Sequence, residues 1–389
     1  MAIEGRGEGF SGRIRLGMVG GGQGAFIGGV HRIASRIDDK FELVAGALSS
    51  TPEKALASAR EIGLDPERSY GSYEAMAEKE KARDDGIEAV AIVTPNHMHF
   101  PVAKTFLQAG FHVICDKPMT TTLAEAKELA EIAKRSGKVF ILTHNYTGYP
   151  MIRQARAMVA NGDLGKIRVV VAEYAQDWLA ERAEDTGSKQ AGWRVDPAKA
   201  GAGGAIGDIG THAHNLACYV TGLRVEKLSA DLSSFVSGRK LDDNASMLLR
   251  FSGGAKGMLW ASQVAVGNEN GLTLRVYGES GGLEWAQEEP NRLWYTPLGQ
   301  AKRLLTRGGA GANAAAAAVS RIPPGHPEGY LEGFATIYAE AAELIRAASD
   351  GRPPPDGIAL PTIEDGVDGL AFIEACVASS KKDGAWVTL

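Results

Sequence analysis

The fold is decided by residues 14–30, IRLGMVGGGQGAFIGGV, where an apolar run stops at a cluster of glycines and an amphipathic segment begins. Such a run, followed by Gly20, Gly21 and Gly22, predicts a buried strand, a tight turn and a helix. Glycines at this kind of turn let the backbone approach a pyrophosphate, whose charge then faces the helix N-terminus. The segment predicts a dinucleotide-binding site, with an ordinary strand-to-helix turn as the alternative.

The spacing of the glycines departs from the usual G-x-G-x-x-G fingerprint. Gly20 and Gly22 match its first two positions, but Gly24 comes only two residues later and Gly28 six residues later. We interpret this as a fingerprint stretched by an insertion. The residues expected to contact the cofactor phosphates are Gly20, Gly22, Gln23 and Gly24.

Short apolar strands alternate with helices as far as residue 148. The predicted elements are strands at 41–48, 89–93, 112–115 and 139–142, and helices beginning at Pro52 and spanning 99–109 and 122–135. This alternation is typical of a parallel sheet covered on both faces. We predict a doubly wound α/β Rossmann domain over residues 1–148.

From residue 149 the pattern changes to longer β-rich segments joined by short glycine turns, which is typical of an antiparallel sheet. The predicted elements are a helix at 151–160, strands at 167–174, 227–236, 246–251, 257–264 and 272–277, and helices at 330–347 and 364–381. Residues 308–318 (GGAGANAAAAA) are low in complexity and predict a mobile loop or a weak helix. We predict an α+β domain with a large, mostly antiparallel open sheet over residues 149–389, which binds substrate and forms oligomers.

The end of the second predicted strand bears on the choice of cofactor. Dinucleotide-binding domains place an acidic residue there on the ribose, but this chain carries Leu48, Ser49, Ser50 and Thr51. We expect Ser49 and Ser50 to lie against the ribose. No carboxylate is present to reject a 2′-phosphate and only Lys54 is near enough to attract one, so the spacing leaves NAD and NADP both open.

Three polar residues favour a hydride-transfer site. Oxidising a secondary alcohol needs a base for the hydroxyl proton while a hydride leaves the carbon for a nicotinamide. His212 can accept that proton, and Asp208, four residues earlier on the same helical face, can orient the imidazole or bind a reacting sugar. Lys117 follows a strand end, where its ammonium can lower the alcohol's pKa and hold the nicotinamide ribose. A lone lysine or histidine is usually solvent-exposed or structural, and it is the conjunction of the three that favours catalysis.

Four segments together resemble the marks of the Gfo/Idh/MocA family of oxidoreductases, over essentially the whole chain. They are the glycine turn, the segment Thr94–His99 (TPNHMH), the segment Cys115–Pro118 (CDKP) and the segment Gly204–His212 (GAIGDIGTH). The sugar and glycoside branch, which includes levoglucosan dehydrogenase and the glycoside 3-dehydrogenases, is the most similar. Two departures from the family pattern are Asp116, where the family usually has Glu, and the insertion in the glycine turn.

The resemblance implies further properties of the chain. It implies NAD as the preferred cofactor, a cis peptide before Pro118, a hydrogen bond from Asn96 to the cofactor ribose, and a homodimer or homotetramer formed through the sheet of the second domain. The residues it adds to the cofactor site are Thr94, Pro95, Asn96, His99, Asp116 and Lys117.

Aromatic and polar residues near these segments predict a pocket for a sugar or polyol, because aromatic faces stack on sugar C–H surfaces and polar groups bond hydroxyls. A packed core or a subunit contact is the alternative interpretation of each tryptophan. The expected substrate-binding residues are Tyr146, Asp177, Trp178, Trp193, Arg194, Asp208, His212 and Asn215.

Two His-x-His pairs, His97 with His99 and His212 with His214, raise the question of a metal, since neutral imidazoles bind zinc. No Cys or Glu accompanies them at a familiar ligand spacing, and hydride transfer to nicotinamide needs no metal. We therefore predict no metal site, and we expect His99 to cap or pack its helix within the cofactor-binding segment.

The composition excludes several classes of protein. Among 389 residues, 42 Lys and Arg against 47 Asp and Glu give a net charge of −5, which disfavours nucleic acid as a partner. The cysteines, Cys115, Cys218 and Cys376, form no CxxC pair, which is typical of a reducing cytoplasm. Residues 1–13 lack the apolar core of a signal peptide, and no later stretch reaches the roughly 18 apolar residues of a membrane span. We predict a cytoplasmic protein without membrane contact.

The leading hypothesis is an NAD(P)-dependent oxidoreductase that oxidises a secondary hydroxyl of a sugar, glycoside or inositol. Three alternatives remain: a nicotinamide-dependent glycosidase, a hydride shuttle between two sugars with retained cofactor, and a regulator that binds cofactor without turnover. A regulator has no need of the Lys117, Asp208 and His212 set, so the presence of that set counts against it.

Overall fold

The computed structural model describes residues 12–389; residues 1–11, most of the segment assessed above for a signal peptide, lie outside the described part. The first domain contains β1 (Ile14–Gly20), α1 (Phe26–Ile37), β2 (Phe41–Ala47), α2 (Pro52–Glu61), α3 (Tyr73–Lys81), β3 (Ala89–Val93), α4 (His99–Ala109), β4 (His112–Cys115), α5 (Leu123–Ser136) and β5 (Phe140–Leu142). The strands form one sheet in the order β2-β1-β3-β4-β5, and every neighbouring pair is parallel. The predicted doubly wound sheet is confirmed.

Both faces of this sheet are buried, as its apolar strands require. In β3, Val90 and Ile92 face a core that includes α4 and α5, while Ala89 and Ala91 face a core that includes α1. Because successive side chains of a strand point to opposite faces, a run of five apolar residues serves both layers. Helix α3 is absent from the prediction; it begins after Ser72, whose side chain accepts a hydrogen bond from the amide of Ala75.

The second domain is built on a larger sheet. Its elements are α6 (Pro150–Ala160), β6 (Ile167–Ala175), α7 (Lys189–Arg194), α8 (Pro197–Ala200), α9 (Thr211–Thr221), β7 (Val225–Ser233), β8 (Asn244–Phe251), β9 (Lys256–Ser262), β10 (Gly271–Gly278), β11 (Gly281–Ala286), β12 (Arg292–Pro297), β13 (Arg303–Thr306), α10 (Ala314–Ala318), α11 (Tyr330–Ser349), α12 (Ile363–Ser380) and β14 (Val387–Thr388). The described strands follow the order β13-β12-β11-β10-β6-β9-β8-β7-β14. Strands β6 and β9 are parallel, whereas the other described neighbours are antiparallel.

The predicted strands of this sheet are present, but β11 to β14 are not in the prediction. Strand β11 begins with two glycines directly after the turn that ends β10, so the sequence offers no apolar alternation at its start. Strand β13 is the edge of the sheet and β12 lies next to it, and both carry exposed arginines at their first positions. The low-complexity segment contains the short helix α10, whose first turn is capped by the side chain of Asn313.

Helix α11 belongs to the second domain by chain position but packs against the first. Phe334, Ile337 and Tyr338 lie in the same buried cluster as Ile14 and Leu16 of β1. The two domains are therefore joined by a shared core as well as by the chain crossing near residue 149. No helix of residues 12–389 is long and apolar enough to cross a membrane.

Candidate active site

A cleft of about 940 Å³ runs along the carboxyl edge of the parallel sheet and is closed on its other side by the second domain. The carboxyl edge of such a sheet is where open α/β folds bind ligands. Seventeen of the predicted site residues line this cleft: Gly20, Gly22, Gln23, Gly24, Ser49, Ser50, Thr94, Pro95, Asn96, Asp116, Lys117, Tyr146, Trp178, Trp193, Arg194, Asp208 and His212.

The glycine turn between β1 and α1 follows a backbone path that requires glycine at several positions. Gly20 and Gly21 have φ values of 82° and 73°, a region that favours glycine. A Cβ on Gly22 would lie 2.5 Å from the carbonyl oxygen of Leu48, and a Cβ on Gly28 would lie 2.3 Å from that of Gly21. Gly28, not Gly24, therefore provides the close contact between helix and turn that the third glycine of the fingerprint supplies. The insertion lengthens the turn without removing this contact.

Several polar atoms in the cleft are buried without a partner in the described protein. They are Thr94 Oγ1, His97 Nδ1 and Asn145 Nδ2, and all three residues line the cleft. Buried polar groups in native proteins are almost always hydrogen-bonded, so a polar ligand in this cleft would supply partners that the protein itself does not. Together with the glycine turn at the start of α1, they fit a nicotinamide dinucleotide.

Lys117 lies at the carboxyl end of β4, and its peptide bond to Pro118 is cis. Its Nζ donates hydrogen bonds to Asp208 Oδ1 at 3.0 Å and to the backbone oxygen of Asp208. The neighbouring Asp116 is held by His31 Nε2 at 3.1 Å and by the Thr143 hydroxyl at 2.6 Å. The ammonium group is thus fixed between the two domains at the middle of the cleft.

Asp208 lies in a π-helical turn, Ile206–Gly210, directly before α9. Its Oδ2 accepts hydrogen bonds from Arg194 Nε at 3.0 Å and from Gln263 Nε2 at 2.9 Å. Burial by itself would raise the pKa of this carboxyl, but the charges of Arg194 and Lys117 outweigh it and hold the pKa well below its ordinary value. Asp208 is therefore a carboxylate, and its hydrogen bonds go to these three residues rather than to His212.

His212 is the second residue of α9 and lines the cleft from the second domain. Its ring lies edge-on to that of Tyr146, with centroids 4.8 Å apart, and its Nδ1 lies 3.4 Å from His144 Nδ1. Burial, followed by the charge of Lys117, lowers the pKa of His212 well below its ordinary value. The imidazole is neutral at physiological pH and has the lone pair that a base needs.

Three predicted site residues lie outside the cleft lining. His99 is buried behind the cleft, where its ring nitrogens contact the carbonyl oxygens of Pro118 and Thr94 at 2.7 and 2.9 Å. Asp177 accepts a hydrogen bond from the amide of Gly267 at 3.0 Å, and Asn215 is buried on α9. His99 thus joins the loops that follow β3 and β4, whereas Asp177 and Asn215 do not line the cleft.

Asn96, which the resemblance implies for the cofactor ribose, forms a hydrogen bond within the protein. Asn96 lines the cleft, but its Nδ2 donates to the backbone oxygen of Ala200 at 3.0 Å.

Among residues 12–389, no group of three or more His, Cys, Asp or Glu side chains is arranged to hold a metal ion. His214, of the second His-x-His pair, instead stacks on Phe372 at 4.1 Å between ring centroids.

Some residues that line the cleft are absent from the prediction. Tyr174 donates its hydroxyl to Asn270 Oδ1 at 2.7 Å, and the hydroxyls of Tyr174 and Tyr146 are 2.6 Å apart. Tyr330 and Phe334 reach the cleft from α11. Their i, i+4 spacing at the start of a helix was a readable signal, but only the packing of α11 on the first domain brings them to the cofactor side.

Comparison with known proteins agrees with this geometry. Residues 14–155 match an oxidoreductase family with an NAD-binding Rossmann fold, and residues 152–284 match the Gfo/Idh/MocA C-terminal domain. A crystal structure of an oxidoreductase from Sinorhizobium meliloti is 60% identical, covers 97% of this chain and 99% of its own, and superposes with a TM-score of 0.87.

Two further relatives have named substrates. An inositol dehydrogenase homologue from Azotobacter vinelandii, solved with NADH and myo-inositol, is 38% identical over 97% of this chain and 98% of its own, with a TM-score of 0.91. The levoglucosan dehydrogenase of Pseudarthrobacter phenanthrenivorans is 28% identical over 96% of this chain and 97% of its own. The glycine turn, the Lys117 and His212 segments, both domain matches and these relatives show that the chain belongs to the Gfo/Idh/MocA family of NAD-binding oxidoreductases.

Proposed function

We propose that the protein is an NAD-dependent dehydrogenase that oxidises a secondary hydroxyl of a cyclic polyol or sugar. The observation that carries the proposal is the convergence of Lys117, Asp208 and His212 at the middle of one cleft, with Lys117 and Asp208 joined by a hydrogen bond of 3.0 Å. The glycine turn lies at one end of the same cleft. A regulator that only binds cofactor would not need a lysine and a neutral imidazole facing the same space.

The roles of the three side chains follow from their charge states. The Lys117 ammonium, anchored on Asp208, presents a positive charge that stabilises developing negative charge on a substrate oxygen. The neutral His212 imidazole accepts the hydroxyl proton. The nicotinamide, when bound, supplies the acceptor for the hydride that leaves the substrate carbon. Asp208 keeps Lys117 and Arg194 in place and takes no proton, because its carboxylate is balanced by both cations.

The polar groups beside His212 suit a molecule rich in hydroxyls. Gln176 Nε2 and the Tyr174 hydroxyl both donate to Asn270 Oδ1, at 2.8 and 2.7 Å, forming a fixed hydrogen-bonding wall. Arg194 lies 4.2 Å over the ring of Trp193, which presents an aromatic surface to the cleft. The myo-inositol bound to the Azotobacter homologue and the levoglucosan named for the other relative support the same class of substrate.

The test is reduction of NAD, followed at 340 nm, with inositols, levoglucosan, glucosides and free aldoses as separate substrates. We expect an absorbance rise with one class of cyclic polyol or sugar, and a smaller kcat/KM with NADP. The protein should then be denatured and its extract examined for reduced dinucleotide. Absence of reduced dinucleotide, both free and extracted, across all of these substrates would contradict the proposal.

We also propose that the protein assembles through the outer face of the larger sheet. Cross-strand neighbours on that face are apolar and exposed, including Leu248 beside Met258 and Trp294 beside Leu304, with exposures of 40 to 51%. Exposed apolar patches mark an interaction surface, and these two patches lie on either side of Arg275 and Glu284 in the same cross-strand row. Light scattering after size exclusion should give a dimer or tetramer of the 41.1 kDa chain, and Met258→Glu should lower the mass; a monomer for the unaltered protein would contradict this.

A further inference from the structure

The proposed base, His212, is not oriented by the carboxylate on its own helix. Asp208 directs its oxygens to Lys117, Arg194 and Gln263. The hydrogen-bonding contact of the His212 ring within the described chain is His144, whose Nδ1 lies 3.4 Å from His212 Nδ1. A neutral imidazole has one protonated and one bare ring nitrogen, so this contact decides which of the two nitrogens of His212 carries the proton.

The contact crosses the boundary between the domains. His144 follows β5 of the Rossmann domain and is 2% exposed, while His212 is the second residue of α9 in the second domain. The rings are edge-on, at 83° with centroids 5.3 Å apart. His144 itself does not line the cleft, whereas Thr143 and Asn145 on either side of it do. It therefore touches the reaction only through His212.

The charge states of the two rings limit how they can pair. Burial lowers the pKa of His144 to about 3 and lowers that of His212 as well, so both rings are neutral at pH 7. A hydrogen bond between two Nδ1 atoms then needs one ring to donate and the other to accept. If His144 donates, His212 carries its proton on Nε2 and cannot act as a base there. If His212 donates, its Nε2 is bare and points away from His144.

We propose that His144 is a positioning residue that accepts a hydrogen bond from Nδ1 of His212, leaving Nε2 of His212 bare to take the substrate's hydroxyl proton. The inference rests on the proposed dehydrogenase function. In the step concerned, the O–H bond of the alcohol breaks, its proton bonds to His212 Nε2, and the imidazolium so formed keeps its Nδ1 proton on His144. The hydride that leaves the same carbon goes to the oxidised nicotinamide dinucleotide.

The other groups around His212 cannot replace His144. Lys117 is a donor with no lone pair and is bound to Asp208. The hydroxyls of Tyr146 and Tyr174 bond each other at 2.6 Å and Tyr174 donates to Asn270, while the contacts of both tyrosines with His212 are ring contacts rather than hydrogen bonds. His144 is left as the group able to hold the Nδ1 proton of His212.

The test compares His144→Phe with His144→Asn. Phe keeps a ring but has no acceptor, whereas the side-chain oxygen of Asn lies near the place of the imidazole Nδ1. We expect His144→Phe to lower kcat by at least about tenfold, to leave the Kd for NAD unchanged, and to move the acid limb of the kcat/KM profile to lower pH, because the imidazolium loses its acceptor. His144→Asn should recover most of kcat and the wild-type profile.

Nitrogen-15 NMR of the histidine side chains provides a readout that does not depend on turnover. In the wild-type protein without ligands we expect His212, assigned by comparison with His212→Gln, as the Nδ1–H tautomer. A His212 protonated on Nε2, an unchanged pH profile in His144→Phe, or an Asn variant no better than the Phe variant would each overturn the proposal. If no polyol is oxidised, the proposed function fails, while the tautomer measurement still gives its own answer.

Discussion

At the scale of single residues, the most informative change is Lys117→Met. Methionine keeps the apolar length of the side chain but removes the charge that Asp208 anchors at 3.0 Å. We expect kcat to fall by roughly 10²- to 10⁴-fold, the range for losing a positioned group that assists proton transfer, while titration of tryptophan fluorescence with NAD still shows binding. Lys134→Met, at an exposed position on α5, is the matched control and should leave kcat unchanged. Turnover within a few-fold of wild type in Lys117→Met would remove Lys117 from the mechanism.

The identity of these residues could be predicted from the sequence, but their pairing could not. Lys117, Asp208 and His212 stand next to glycines, prolines and strand ends that a reader can recognise. The hydrogen bond from Gln263 to Asp208 joins residues 55 apart, and the contact of His144 with His212 joins residues 68 apart. No local pattern encodes such pairings, because the first depends on how distant segments of the second domain pack and the second on how the two domains pack.

At the scale of elements, the close contact between α1 and the glycine turn can be tested at Gly28, with the neighbouring Gly29 as the control. In α1, Gly28→Ala would place a Cβ 2.3 Å from the Gly21 carbonyl, whereas a Cβ on Gly29 meets only the end of Arg32 at 3.9 Å. We expect Gly28→Ala to lower the free energy of unfolding by about 1–3 kcal/mol and to weaken NAD binding, since the helix must move away from the turn. Gly29→Ala should be neutral or stabilising by up to about 1 kcal/mol. Urea unfolding and NAD titration of both variants measure these effects. Equal changes in stability and in NAD affinity for the two variants would show that Gly28 is not a close-contact position.

The β1–α1 turn and helix α11 could be predicted from the sequence, but their contacts could not. Residues 14–30 predict the strand, the turn and the helix, and they show the irregular spacing of the glycines. That Gly28 is the glycine in close contact with Gly21 can be seen only from the path of the turn in the structure. Similarly, helix α11 was predicted almost to its ends, yet its packing on α1 was not, because an amphipathic pattern says which face is buried and not against what.

At the scale of the whole molecule, acid should destabilise the fold through its buried histidines. Five histidines are buried with lowered pKa values, each chiefly because burial disfavours the charged ring: His99, His112, His144, His212 and His214. In the unfolded chain they titrate near 6.5. Below that pH the unfolded state binds protons that the folded state does not, so stability is fully present above pH 6.5 and falls as the pH falls. Asp242, whose pKa burial raises to about 6, and Asp368, whose pKa burial also raises, act in the opposite direction, but they are two groups against five.

We therefore expect the free energy of unfolding in urea to be nearly constant between pH 7 and 8 and to fall by at least about 1.4 kcal/mol per pH unit below pH 6. A parallel series with 0.5 M salt separates this effect from screening of surface charge, since buried groups are screened little. Constant or rising stability between pH 6 and pH 5 would contradict the assignment of neutral histidines to the core.

The central claim is that a hydride passes from a ring carbon of a cyclic polyol to NAD in the cleft that holds Lys117 and His212. The most direct test supplies the unlabelled protein with NAD and ring-deuterated inositol or levoglucosan, and follows deuterium by mass spectrometry in dinucleotide both released and extracted after denaturation. We expect one deuterium per reduced dinucleotide, and no labelled dinucleotide in Lys117→Met or in His212→Gln. Substrate that binds without any transfer of label, or transfer that persists in both variants, would contradict it.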